Sequence, residues 1–133
     1  MSKLTMSLLA AAGIALAHPA FAADAMSRQA YDAEKDRIDA TYKQQKERCD
    51  TLAGNKKDVC EEEAKAHRDI AKADLEARMK NTAEARRDAT KKKAEAEYNV
   101  AKEKCDDLSG DAKDQCQKDA KAARERAEAS AKR

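Results

Sequence analysis

Large and stiff side chains are scarce in this chain. It has no tryptophan, one phenylalanine, three tyrosines, one proline and three glycines in 133 residues. Phe21, Pro19 and Gly13 all lie in the first 22 residues, so the remainder has no proline, no phenylalanine and two glycines, Gly54 and Gly110. β-Branched residues are also few, which argues against strands. A glycine-rich phosphate loop is excluded, and so is a run of aromatics for stacking on bases. Past residue 22 no apolar run is long enough to span a bilayer, so no membrane insertion is expected. Neither charge sign dominates, with 28 basic residues against 26 acidic ones. Interspersed charges of both signs belong to solvated helix surfaces, and no nucleic-acid partner is expected.

The first residues read as a secretory signal. Lys3 supplies the positive start, "LLAAAGIALA" the apolar stretch, and Ala20-Phe21-Ala22 the small-x-small cleavage site. Cleavage after Ala22 leaves a mature chain of 23–133 destined for the periplasm. What remains is rich in Ala, Glu, Lys and Arg, the strongest helix formers. The fold class is therefore all-α, with a core so thin that extra fastening is needed.

The chain also contains a repeat. "KERCDTLAGNKKDVC" at 46–60 returns as "KEKCDDLSGDAKDQC" at 102–116, and 14 of the 27 positions in 42–68 match those in 98–124. An internal duplication explains this. Gly54 and Gly110 are expected to cap the C-terminal ends of helices, with Asn55 and Asp111 as N-caps of the next ones. Each unit is then a helical hairpin: 23–81 is the first and 82–133 the second.

Cys49 and Cys60 lie symmetrically about the turn, as do Cys105 and Cys116. Tyr31, Lys35, Ile38, Tyr42, Gln45, Cys49 and Leu52 recur by three and four, as one inner seam should. Tyr98 and Leu108 repeat Tyr42 and Leu52. Mirror symmetry sets Lys35 against Asp74. This seam supports disulfides Cys49–Cys60 and Cys105–Cys116, although four cysteines allow three connectivities. Such bonds suit an oxidising compartment.

No glycine or proline interrupts 56–108. We therefore expect two tandem antiparallel hairpins, elongated along one long shared central helix. The alternative is a break at Asn81, with Asn81 and Glu84 capping the second segment, and a compact four-helix bundle. Too few large apolar residues exist to build a second buried face, which favours the extended form.

The chemistry-bearing residues admit several readings. Cys49, Cys60 and His67 share a face and could take a thiophilic metal, copper or zinc, if the thiols were reduced. Against this, His67 is two turns, about 10 Å, from Cys60, and the tight ligand spacings of zinc sites are absent. Cysteines eleven apart across a turn do not match the redox pair at a helix start. Scattered exposed carboxylates have no pocket to shift their pKa, so no enzyme activity, no cofactor and no small-molecule substrate is expected. Arg86-Arg87 and Lys91-Lys92-Lys93 form a basic cluster that reads as solvated surface, with anionic envelope polymers as the alternative partner.

The run "AEARRDATKKKAEAEYNVAKEK" resembles the Ala/Lys/Glu-rich helical middle of TolA-like envelope proteins, over roughly 60–105. The cysteines about a helical turn are similar to those of mitochondrial twin-cysteine hairpins, with ten intervening residues here instead of nine. Neither resemblance assigns functional residues. The first implies a coiled-coil-like envelope protein. The expected role is a structural or interaction protein with a protein partner or self-association, and the alternative is a thiophilic-metal binder.

Overall fold

The computed structural model describes residues 26–132, and the expected signal segment lies outside them. Four helices follow one another: α1 Arg28–Cys49, α2 Asn55–Lys80, α3 Ala83–Cys105 and α4 Gly110–Ala131. There is no strand among the described residues. Ser27 opens α1, its Oγ accepting the Ala30 N–H at 3.1 Å. Thr82 opens α3 in the same way, accepting the Ala85 N–H at 3.1 Å. These side chains satisfy N–H groups that have no partner inside the helix.

The expected long central helix is not formed. α2 stops at Lys80, Asn81 takes the left-handed conformation at φ 50°, and α3 turns back to pack along α2. Asparagine tolerates that conformation better than most residues. Asn81 therefore ends α2, and the cap of α3 is Thr82, not Asn81. The α2–α3 contact is built from alanines: Ala77, Ala85 and Ala89 are buried together, with Ala73 packed against them. Small side chains let two helix backbones approach closely, so a contact can form with no large apolar stripe to announce it.

The compact four-helix bundle is not formed either. α1 packs on α2 alone, α2 on α3, and α3 on α4. The helices make one antiparallel layer in chain order. The α1–α2 and α3–α4 turns lie at one end, and the α2–α3 turn lies at the other. Leu75 is the largest fully buried side chain, joined by Cys49 and Cys105.

The glycine expectation needs correction too. α1 and α3 end at the cysteines, with Asp50 and Asp106 as right-handed caps, several residues before the glycines. Gly54 precedes α2 at φ +58°, and Gly110 begins α4 at φ +56°. Positive φ is the reason for glycine at both places, but it serves the entry to the second helix, not the end of the first. Asn55 and Asp111 lie inside the first turns of α2 and α4 and are not N-caps. Leu52 and Leu108 were expected in the seam and are 40% and 43% exposed, because the helical spacing stops at the preceding cysteine.

Candidate functional site

The shared end of the layer carries the two cysteine pairs. Cys49 bonds Cys60 with their Cα atoms 5.5 Å apart, and Cys105 bonds Cys116 at 5.7 Å. No free cysteine remains. Cys49 and Cys105 are buried at the ends of α1 and α3, while Cys60 and Cys116 are half-buried one to two turns into α2 and α4. Each bond closes a turn of the same length, with a sequence separation of 11 in both.

Two further contacts recur in both hairpins at equivalent positions. Lys57 pairs with Asp50 at 3.1 Å, and Lys113 with Asp106 at 2.8 Å. The guanidinium of Arg68 lies 4.3 Å from the centre of the Tyr42 ring, and that of Arg124 lies 4.5 Å from the Tyr98 ring. A cation over an aromatic face is attracted by the ring quadrupole. All eight residues sit at matching places in the repeat, so comparing its two copies was the signal that could have found these contacts.

The electrostatics are mild. Partial burial pulls the pKa of Arg68 down, but the hydrogen bond and charge of Asp69 more than restore it, so the net shift is upward. Asp50 raises the pKa of Lys57, first by hydrogen bonding and then by charge. The expected Lys35–Asp74 meeting is replaced by an ion pair between Lys72 and Asp39. Asn55 reaches across to the second hairpin, its Nδ2 donating to the Glu103 carbonyl at 3.3 Å.

Cys49, Cys60 and His67 do not converge. His67 is exposed, and the described residues contain no group of three or more His, Cys, Asp or Glu that could hold a metal. His67 instead lines two neighbouring grooves on one face. One lies between α1 and α2 beside Tyr42 and Arg68, and the other between α2 and α3 beside Ile70 and Val100. No helix among the described residues is long and apolar enough to cross a membrane.

Two more grooves flank the α2–α3 pair near its turn. One is lined by Lys80, Lys91 and Lys92 together with Glu76, Asp88 and Glu95. On the opposite face, Arg78, Arg86 and Lys93 line a groove with Asp74, Asn81 and Thr90. The first is charge-balanced, with ion pairs Lys80–Glu76 at 2.6 Å and Lys91–Asp88 at 3.6 Å. The lining of the second has three cations and one carboxylate, and its Lys93 pairs with Glu97 at 3.8 Å.

No family model, no curated protein and no solved structure matches the chain.

Proposed function

We infer that the chain is a non-enzymatic structural or interaction protein, secreted to the periplasm and held together by its disulfides. One observation carries this reading: each outer helix packs on a single neighbour and is tied to it covalently at the turn. A layer one helix thick buries little apolar surface, and short cross-links supply the stability that a larger core would give. The same thinness leaves both broad faces and their grooves open to a protein partner or a second copy. Interspersed charges along all four helices suit extended contact of the kind made by coiled-coil-like envelope proteins.

The test is peptide mass spectrometry on the mature chain taken from its own compartment, with thiols blocked before any reductant is added. The reading predicts a mature start at Ala23 and the bonds Cys49–Cys60 and Cys105–Cys116. Helicity should survive a chelator and fall on reduction. Free thiols with bound copper or zinc in the native mass would replace this reading with thiophilic-metal binding.

A further inference from the structure

The basic cluster about the α2–α3 turn does not stay together once folded. Residues 78–93 hold seven basic residues, Arg78, Lys80, Arg86, Arg87, Lys91, Lys92 and Lys93, and two acidic ones, Glu84 and Asp88. The turn at Asn81 folds this segment on itself and sends its cations to different faces. Lys80, Lys91 and Lys92 go to the groove where acids match them one for one. Arg78, Arg86 and Lys93 go to the groove of about 620 Å³ on the other face, whose lining has one carboxylate, Asp74; Lys93 is also paired with Glu97 at 3.8 Å, which leaves the two arginines as the less balanced charges.

This second arrangement works against stability. Arg78 and Arg86 share one groove with Asp74 as its one lining carboxylate, and like charges so gathered repel one another. Arg86 also lies one turn into α3, where the positive end of the helix disfavours a cation. The duplication shows that the hairpin does not require it. The position equivalent to Arg86 is Ala30, whereas Lys93 is matched by Arg37, so of these two groove cations Arg86 is the one particular to the second copy. The groove also offers neutral hydrogen-bonding groups. The Asn81 Oδ1 accepts from Arg86 Nη1 at 3.3 Å, which holds that guanidinium at the mouth of the turn. Thr90 stands on the same wall.

We propose that the groove between the end of α2 and the start of α3 binds a linear phosphate-bearing polyanion through Arg78, Arg86 and Lys93. The spacing suits a chain ligand. Arg86 and Lys93 are two helical turns apart, about 10 Å along one wall, and Arg78 faces them from the other. A groove between two rods runs along their length and so matches a strand better than a flat bilayer. No aromatic side chain lines the groove, so it reads phosphates and offers no stacking for bases. The site is independent of the scaffold reading, since it needs neither the periplasm nor a protein partner.

The test is binding of the disulfide-intact chain to long-chain inorganic polyphosphate, followed by fluorescence anisotropy over a salt series. With three contacts, affinity should fall on the order of tenfold to twentyfold between low and physiological salt. The triple variant Arg78→Gln/Arg86→Gln/Lys93→Gln should lose on the order of tenfold or more, with helicity by circular dichroism retained because all three side chains are exposed. The double variant Lys91→Gln/Lys92→Gln, on the balanced face, should lose about twofold at most. Equal losses per charge in the two variants would overturn the groove and leave only general attraction. So would binding that ignores salt, or binding to phosphatidylglycerol vesicles without binding to polyphosphate.

Discussion

The two hairpins are copies of one unit with the same fastenings and different fillings. Both keep the disulfide, the positive-φ glycine, the lysine–aspartate pair at the turn and the arginine over a tyrosine. The apolar side chains have diverged. Where the first hairpin has Ile38, Val59, Ile70 and Leu75, the second has Ala94, Gln115, Arg126 and Ala131. Polar and covalent devices have outlasted the hydrophobic ones. The second hairpin should therefore lean harder on its cross-link than the first.

The largest effect should come from the disulfides. A cross-link closing a loop this short is worth about 3 kcal/mol in the chain-entropy picture. Removing Cys105–Cys116 by the double change Cys105→Ser/Cys116→Ser should fray α4, which packs only on α3. The matching pair of changes at Cys49 and Cys60 should leave α1 mostly docked, held by Ile38 and Tyr42 in the α1–α2 groove and by Leu75, which by helical spacing shares the face of α2 that carries Cys60, Ala64 and Ala71. Amide hydrogen exchange resolves the two helices. Equal loss of protection in α1 and α4 would mean that the apolar difference does not matter.

Leu75 is the next lever, because it is only 2% exposed and sits in the first hairpin. Leu75→Ala should cost about 2–4 kcal/mol, including the cavity left behind. It should also make the first hairpin as dependent on its disulfide as the second. Denaturant unfolding of the single variant and of its combination with Cys49→Ser/Cys60→Ser would show this as non-additivity. Simple addition of the two costs would separate the core from the staple.

The glycines supply a symmetrical control. A Cβ at Gly54 or Gly110 would meet nothing within 4 Å, so alanine there suffers only from φ near +57°. At Gly54 ψ is −153°, in a region essentially reserved for glycine, so the cost should be about 1–3 kcal/mol and should be the same in both hairpins. A clearly larger loss in one of them, seen by thermal unfolding, would show that its turn carries strain the other lacks.

Much of this layer was legible from the repeat. The duplication located both turns and both cysteine pairs, and the three-and-four spacing of Tyr31, Ile38, Tyr42 and Cys49 marked the face that α1 buries. The α2–α3 contact was not legible, because Ala73, Ala77, Ala85 and Ala89 carry the same weight in a pattern as exposed alanines do. Their value comes from backbone proximity, which appears only after Asn81 has reversed the chain. The glycines misled for a related reason. Positive φ could be anticipated, but where each helix ended was set by the turn after the cysteine. The unbalanced groove was hidden because a run of basic residues has no face until the helix direction is known.

The smallest effect, and the finest test of equivalence, is at the turn ion pairs. Asp50 raises the pKa of Lys57 above its ordinary value, so folding favours the charged amine. A raised pKa stabilises the folded state fully while both states are protonated, below the ordinary lysine range. That contribution disappears as pH rises through the raised value. The Lys57–Asp50 pair is open to solvent screening, so the expected change is a slight destabilisation confined to the alkaline limb. Lys57→Gln should therefore lower the melting temperature slightly at neutral pH and leave it unchanged at strongly alkaline pH. Asp50→Asn should reproduce that profile, because it removes the same attraction from the other side. If both variants instead lower stability equally at every pH, the pair acts through turn geometry, not charge. The twin contact Lys113–Asp106 would then be expected to act in the same geometric way.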